Sequence, residues 1–143
     1  MLYAAADPHG AFIETFGHNT GIRHVGQADL ASRNLVQIEV NRPLHLVDLT
    51  GSRLAQIGAD ARLLAGEIAV ARLWSQAFHD HQMAPDGICY HARHDPDRLC
   101  AAMFDRAALA IQSVGYLGTL ADYAHRTLLA DILNTYKFGL GPS

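Results

Sequence analysis

The sequence predicts an α+β fold, with one compact domain in which helices flank a small mixed sheet. The chain has 143 residues, half of them hydrophobic, which suits one buried core rather than two. Short apolar runs typical of strands alternate with segments whose apolar residues recur at helical spacing. No internal repeat, low-complexity tract or interdomain linker interrupts the chain, so we expect a single domain over residues 1–143.

The N-terminal part is predicted to form a strand, a helix and a loop. The opening MLYAAA is a short apolar run that needs a sheet partner. Asp7 and Pro8 have the residue types of an N-cap and a first helical position, which predicts a helix over residues 8–18. Its apolar positions share one face, and Glu14 projects from roughly the opposite side. Residues 17–32 are polar and rich in Gly, Asn and Asp, which predicts a loop.

The middle of the chain predicts two strands followed by helical structure. Residues 35–40 alternate strictly, and residues 44–49 form a second strand after an Asn-Arg-Pro turn. Glycines interrupt residues 50–64, which favours two short helical turns over one helix. A helix is predicted over residues 67–80, because its apolar residues follow the i, i+3, i+4 rule. Those residues are Val70, Leu73, Trp74, Ala77 and Phe78.

The C-terminal part predicts two strands and a last helix. The strands lie near residues 88–91 and 100–104, joined by the polar turn HDPDR. The helix is predicted at about residues 119–136. It is expected to bury Leu120, Tyr123, Leu128 and Ile132.

The composition excludes several classes of protein. A net charge of -3 and a pI near 6.3 provide no basic field for a phosphate backbone, which argues against direct nucleic-acid binding. Cys89 and Cys100 lie in apolar strand-like runs, which indicates reduced core thiols and a cytoplasmic address. No stretch approaches the ~20 continuous apolar residues that span a bilayer, and no signal-peptide pattern opens the chain. We therefore expect neither export nor membrane insertion.

The nine histidines do not predict a metal site. His91 and His94 fall at a strand end and turn, where their spacing gives no shared face. His79 and His81 are the other close pair. No Cys or carboxylate completes a recognised ligand set around either pair. The glycines match neither a P-loop nor a Rossmann fingerprint, so no resident cofactor is expected.

Three tracts, in order, carry a resemblance to a known family. They are LYAAADPHGAFIE (residues 2–14), LVDLTGSRLAQIGAD (46–60) and DGICYHARHDPDRLCAAMF (86–104). Together they resemble the RES domain, the toxin half of a bacterial toxin–antitoxin pair, with the likeness strongest over residues 2–107. That family resembles ADP-ribosyltransferases in fold. It degrades NAD⁺ by phosphorolysis or hydrolysis of the bond that joins nicotinamide to ribose.

The resemblance implies a role for each matched residue. Glu14 would be catalytic and would stabilise the oxocarbenium-like ribose that forms as nicotinamide departs. Tyr3 would act with it by shaping the nicotinamide side. Arg93 would bind the pyrophosphate through paired charged hydrogen bonds. The other expected substrate-binding positions are Tyr90, His91 and Ala92. NAD⁺ is thus expected as substrate, with inorganic phosphate as co-substrate if the reaction is phosphorolysis.

The chain departs from the family pattern at two points. Ala92 stands where the family has Ser, which removes a hydroxyl whose hydrogen bond would contribute about 0.5–1.5 kcal/mol. The family also carries an Arg in a segment before the Tyr element, and this chain begins almost at Tyr3. We expect the second loss to matter more, since a charged pyrophosphate contact contributes about 1.5–3 kcal/mol. Arg23, Arg33 and Arg42 are the candidates to replace it.

The residue types by themselves also allow structural roles. Glu14 fits a solvated surface carboxylate. Tyr3 and Tyr90 fit half-buried strand aromatics. Arg93 fits a surface salt bridge to Asp95 or Asp97.

The resemblance also implies partners and alternative functions. A cognate antitoxin of the Xre class would cover the pocket, so that DNA is contacted only through the antitoxin. A homo-oligomer is also compatible with the sequence. One alternative is a catalytically impaired remnant that still binds antitoxin. Another is a transferase that moves ADP-ribose onto a protein.

Overall fold

The fold is seen in a computed structural model that describes residues 1–60, 63 and 68–142. Helices flank a small mixed sheet, which confirms the predicted α+β class. The strands are β1 (Leu2–Ala5), β2 (His24–Gly26), β3 (Asn34–Val40), β4 (Leu46–Asp48), β5 (Gly87–Ala92), β6 (Asp95–Met103), β7 (Ile111–Thr119) and β8 (Gly139–Gly141). The α-helices are α1 (Pro8–Phe16), α2 (Gln27–Ala31), α3 (Arg53–Gln56), α4 (Ile68–His79) and α5 (Arg126–Tyr136), and 3-10 helices span Asp105–Ala110 and Tyr123–His125.

The main sheet has four strands in the order β1-β6-β5-β4. β6 pairs antiparallel with both β1 and β5, while β4 adds in parallel to the outer edge of β5. The β5–β6 hairpin supplies the long central pairing because both strands are apolar where they meet. Gly87 is required at its start, since a Cβ there would lie 2.3 Å from the carbonyl oxygen of Ala102.

Two hydrophobic clusters pack on this sheet. The first joins α1 and α5 to the sheet through Phe12, Ile13 and Ile132, all of which are almost fully buried. The second lies toward α4 and is centred on Leu49, Leu63, Ile88 and Phe104, with Trp74 and Phe78 packed against it. Tyr90 contacts both clusters. The two groups of helices are therefore held by separate apolar contacts on the same face of the sheet, the face that carries Ile88, Tyr90 and Cys100.

Two further strand pairs lie outside the main sheet. β3 pairs antiparallel with β7, and β2 pairs in parallel with β8 near the C-terminus. Val25 of β2 is buried, and the Gly139 amide donates a hydrogen bond to the carbonyl of Arg23. Residues far apart in the chain are thus joined by backbone pairing.

Several predicted elements agree with the structure. The first helix begins at Pro8 with Asp7 as its N-cap, since the Asp7 side chain accepts a hydrogen bond from the Gly10 amide at 2.8 Å. The helix ends at Phe16 rather than residue 18, with Gly17 as its C-cap. The helix predicted over 67–80 is α4, and residue 67 lies outside the described part. Of the two predicted turns in 50–64, α3 is the first, and the second falls largely outside the described residues.

Two sequence-based predictions for the connecting segments are wrong. The loop predicted over 17–32 contains β2 and α2, because Val25 and Leu30 are buried by distant elements. The turn of the β5–β6 hairpin is Arg93 and His94, not HDPDR, since β6 already begins at Asp95. Pro96 is accommodated there because β1 pairs with β6 only from Cys100 onward, which leaves one side of the strand open.

The last helix is also shorter than predicted. β7 runs to Thr119, and α5 begins only at Arg126. Between them Gly118 takes a positive φ of 83°, and the Thr119 amide donates to the Asp122 carboxylate at 2.8 Å. This turn is why Tyr123, predicted to be buried, is 78% exposed.

Candidate functional site

A cleft of about 830 Å³ opens on one face of the main sheet. The strand register builds its floor in two rows across β1, β6 and β5. One row is Tyr3, Ala102 and Ile88, and the other is Ala5, Cys100 and Tyr90. Side chains two apart on a strand share a face, so all six line the cleft. Its size lies within the range of small-molecule sites.

Helix α1 and helix α4 form the walls. α1 contributes Ala11, Glu14, Thr15 and His18, while α4 contributes Ala71, Arg72, Trp74, Ser75 and Phe78. The hairpin turn at Arg93 and His94 closes one end. The helical walls are held by apolar contacts, those of the buried Phe12 and Ile13 on α1 and those of the partly buried Trp74–Phe78 ring pair on α4.

Glu14 is held by the hairpin turn. Its Oε1 accepts a hydrogen bond from the backbone amide of Arg93 at 2.8 Å. A carboxylate with one oxygen tied to a backbone donor keeps its other oxygen for a ligand. The structure thus places Glu14 and Arg93, which are 79 residues apart in sequence, at the same end of the cleft.

An ionic network fixes α1 against the hairpin. Arg98 of β6 donates to Asp7, the N-cap of α1, at 2.8 Å and to Asp95 at 3.2 Å. The Tyr136 hydroxyl of α5 donates to the same Asp95 at 2.6 Å. Burial opposes ionisation of Asp95, but the hydrogen bonds from Tyr136 and Arg98 hold its pKa below the usual value. The network ties three elements together behind Glu14.

Tyr90 and Cys100 are neighbours on the cleft floor and both remain protonated. Burial, followed by the nearby Cys100 and Glu14, raises the pKa of the Tyr90 phenol well above its usual range. Burial and the charge of Glu14 raise the pKa of the Cys100 thiol to about 11. Tyr90 therefore offers a neutral hydroxyl that can donate a hydrogen bond. Cys100 is not a nucleophile at neutral pH.

Tyr3 lies at the open side of the floor. It is 67% exposed, so its ring presents a face that a planar ligand group can stack on. The exposed ring of Tyr3 differs in this respect from the ring of Tyr90, which is half-buried and contacts both core clusters.

Two histidines near the turn have unsatisfied buried nitrogens. Nδ1 of His91 and Nε2 of His94 have no hydrogen-bond partner among the described residues, although both side chains line the cleft. Buried polar atoms normally have partners, so these two nitrogens are exceptions beside the hairpin turn. In the described part of the chain no group of three or more His, Cys, Asp or Glu could hold a metal ion.

Comparison with known protein families identifies the family to which this chain belongs. The family model of the RES domain matches residues 1–124. The chain belongs to the RES domain family. One relative is a probable toxin, y4kH, of Sinorhizobium fredii, which is 34% identical over 115 residues, covering 79% of this chain and 87% of that protein. No solved structure matches this RES domain, so its likeness to ADP-ribosyltransferases stays a prediction.

Five residues that the RES resemblance singled out line one cleft. They are Tyr3, Glu14, Tyr90, His91 and Arg93. Ala92 does not line it. Its side chain is 3% exposed and packs in the first hydrophobic cluster.

The arginines proposed to replace the family's N-terminal Arg do not line the cleft. Arg23 lies over the ring of Phe138, and Arg33 lies over the ring of Phe16. Arg42 makes a two-pronged ion pair with Asp86. Arg93 also lacks the suggested bridge to Asp95, which pairs with Arg98 instead.

Sequence reasoning missed the contribution of α4 to the site. Arg72 and Ser75 line the cleft, as do His18 and His94, and no family tract pointed to Arg72. The available signal was its position beside the apolar stripe of α4, but the stripe does not reveal what the helix faces.

No helix in the described part of this RES domain is long and apolar enough to cross a membrane.

Proposed function

We propose that this RES domain is an NAD⁺-degrading toxin that cleaves the bond between nicotinamide and ribose. The observation that supports it most is the juxtaposition of Glu14, Tyr3 and Arg93 on one cleft. A carboxylate, an exposed aromatic ring and a guanidinium without a partner among the described residues match the ribosyl centre, the pyridinium ring and the pyrophosphate. The relative named a probable toxin supports the cellular role.

The chemistry requires no acid for the leaving group. Nicotinamide departs with the electron pair of the C–N bond, so the positively charged pyridinium becomes a neutral ring. The ribose carbon is left with oxocarbenium character, and a fixed carboxylate stabilises the charge that develops there. Glu14 would supply that charge, with its position fixed by the Arg93 amide.

An acceptor then completes the reaction. Attack by water forms a C–O bond and releases one proton, which gives ADP-ribose. Attack by an oxygen of inorganic phosphate gives ADP-ribose phosphate. The protonated Tyr90 hydroxyl would donate a hydrogen bond to a ribose oxygen, and the side chains of His91 and His94, which line the cleft, would contact the ligand at the turn.

The Glu14→Gln variant gives the most direct test. Gln keeps the side-chain oxygen that accepts from the Arg93 amide, but it removes the negative charge. Purified protein would be incubated with NAD⁺, with and without phosphate, and nicotinamide release followed. We expect release by the natural protein and a loss of about 10²–10³-fold in Glu14→Gln. Equal rates for the two proteins would refute the role of Glu14.

Further outcomes separate the alternatives. Glu14→Ala also removes the contact with the hairpin turn. A folding defect in Glu14→Ala that is absent from Glu14→Gln would show that this contact stabilises the fold. Retention of radiolabelled ADP-ribose on protein would favour a transferase. No release from folded protein would favour an impaired remnant that only binds antitoxin.

A toxin of this kind requires an inhibitor in its own cell. An Xre-type antitoxin that covers the cleft is the partner we propose, with DNA bound by the antitoxin alone. Addition of that antitoxin should stop nicotinamide release, and a stable complex without inhibition would contradict coverage of the cleft.

A further inference from the structure

Arg72 stands out because of the partners of the other arginines. The side chain of every other described arginine except Arg93 has a partner in the described part of the chain. Those partnered arginines are Arg23, Arg33, Arg42, Arg53, Arg98, Arg106 and Arg126. Arg72 and Arg93 both line the same cleft. Thus the two guanidiniums without a described partner lie at one site.

The cleft therefore has a charge opposite to that of the chain. The protein carries a net charge of -3. Among the described residues that line the cleft, Arg72 and Arg93 are permanent cations and Glu14 is the one carboxylate. His18, His91 and His94 add nitrogen donors. Such a local excess of positive charge in an acidic protein favours an anionic ligand.

Helix α4 fixes where Arg72 lies. Trp74 and Phe78 pack into the second hydrophobic cluster and set the rotation of the helix. Ala71, Trp74, Ser75 and Phe78 follow i, i+3, i+4, i+7 spacing and line the cleft as one stripe. Arg72 stands at the edge of that stripe, one turn before Ser75. It thus belongs to the α4 wall, whereas Arg93 belongs to the hairpin turn.

We propose that Arg72 and Arg93 form a two-arginine clamp for a diphosphate, with one guanidinium for each phosphate. The ligand class is a dinucleotide or ADP-ribosyl compound. This inference rests on the proposed function for the identity of the ligand, and it adds a binding residue that the family tracts do not contain. Guanidinium groups suit this task because their planar donors match phosphate oxygens in pairs.

The clamp is tested by equilibrium binding of ADP-ribose to the full chain by calorimetry. Arg72→Ala should bind roughly 10-fold more weakly than the natural protein, since a charged hydrogen bond is lost at a partly solvated site. Arg72→Lys should recover part of the affinity because it keeps the charge. Arg126→Ala is the matched control, since it removes an equal charge from an exposed arginine that stacks on Tyr123 away from the cleft.

Salt dependence provides a second readout that loss of folding would not imitate. Affinity of the natural protein should fall as ionic strength rises, and the fall should be shallower in Arg72→Ala because one charge contact is absent. Unchanged affinity in Arg72→Ala, or equal weakening in Arg126→Ala, would overturn the clamp, as would the natural protein's failure to bind ADP-ribose. Arg72-dependent binding without nicotinamide release would uphold the clamp and refute the proposed reaction.

Discussion

Asp86 is the buried carboxylate on which the start of β5 depends. It is 5% exposed and accepts two hydrogen bonds from the Arg42 guanidinium and one from the His45 amide, each at 2.8 Å. Its backbone also accepts from Phe104 and donates to His45. These contacts join the approach to β4 with the end of β6. We predict that Asp86→Asn destabilises the fold while leaving the cleft residues in place.

The magnitude follows from the three accepted hydrogen bonds. The side-chain oxygen of Asn can still accept hydrogen bonds, but its NH2 group takes the place of the second carboxylate oxygen and would face an N–H donor. A hydrogen bond to a charged group contributes about 1.5–3 kcal/mol when buried. The Arg42 side chain is about half exposed and regains water when it is released, so we expect the low end, about 2 kcal/mol in all. Asp86→Ala should lose about 3 kcal/mol because the His45 amide then has no acceptor.

The pH dependence of this difference identifies its source. The hydrogen bond from Arg42, together with that from His45, holds the pKa of Asp86 far below its usual value. A depressed pKa contributes stability that is fully present above the unfolded-state value of about 3.9 and is lost as pH falls toward the folded pKa. The difference between natural protein and Asp86→Asn should therefore be constant from pH 7 to about pH 5 and shrink below pH 4.

Urea unfolding at several pH values measures both quantities. Each curve gives a free energy of unfolding by linear extrapolation, and the m-value checks that the unfolded states are comparable. A difference below about 0.5 kcal/mol at pH 7, or one that does not change between pH 5 and pH 3, would refute the assignment of this stability to the charged pair.

Two further predictions concern single titrating groups. Hydrogen bonds from His79 to Asp80 and then to Asp105 raise the pKa of His79, so its contribution to stability is present below pH 6.5 and is lost as pH rises through the folded pKa. The free energy of unfolding of His79→Gln should therefore be lower than that of the natural protein at pH 6 and equal to it at pH 9. The same difference in free energy at both pH values would contradict this. Burial and Glu14 raise the pKa of the Cys100 thiol to about 11, so iodoacetamide at pH 8 should label it much more slowly in the folded chain than in urea. Peptide mass spectrometry separates it from Cys89, and rapid labelling of folded Cys100 would count against the buried thiol.

The sequence alone determined the elements whose signals are local. Asp7 followed by Pro8 marks the start of α1, since capping and a fixed φ act within one turn. The apolar stripe of α4 and the two strands of the β5–β6 hairpin follow likewise from the local pattern of apolar residues. The matched tracts also indicated Tyr3, Glu14, Tyr90, His91 and Arg93, which the fold assembles into one cleft.

Tertiary structure decided what depends on distant partners. β2 pairs with β8 across more than a hundred residues, and β7 lies beside β3, so neither pairing leaves a nearby signal. The position of Arg72 at the cleft depends on which way Trp74 and Phe78 turn α4, and the burial of Ala92 depends on the hydrophobic cluster that packs against it. The physical reason is that periodicity defines which face of an element is apolar, whereas only packing between elements decides what that face meets and which polar groups are left without partners.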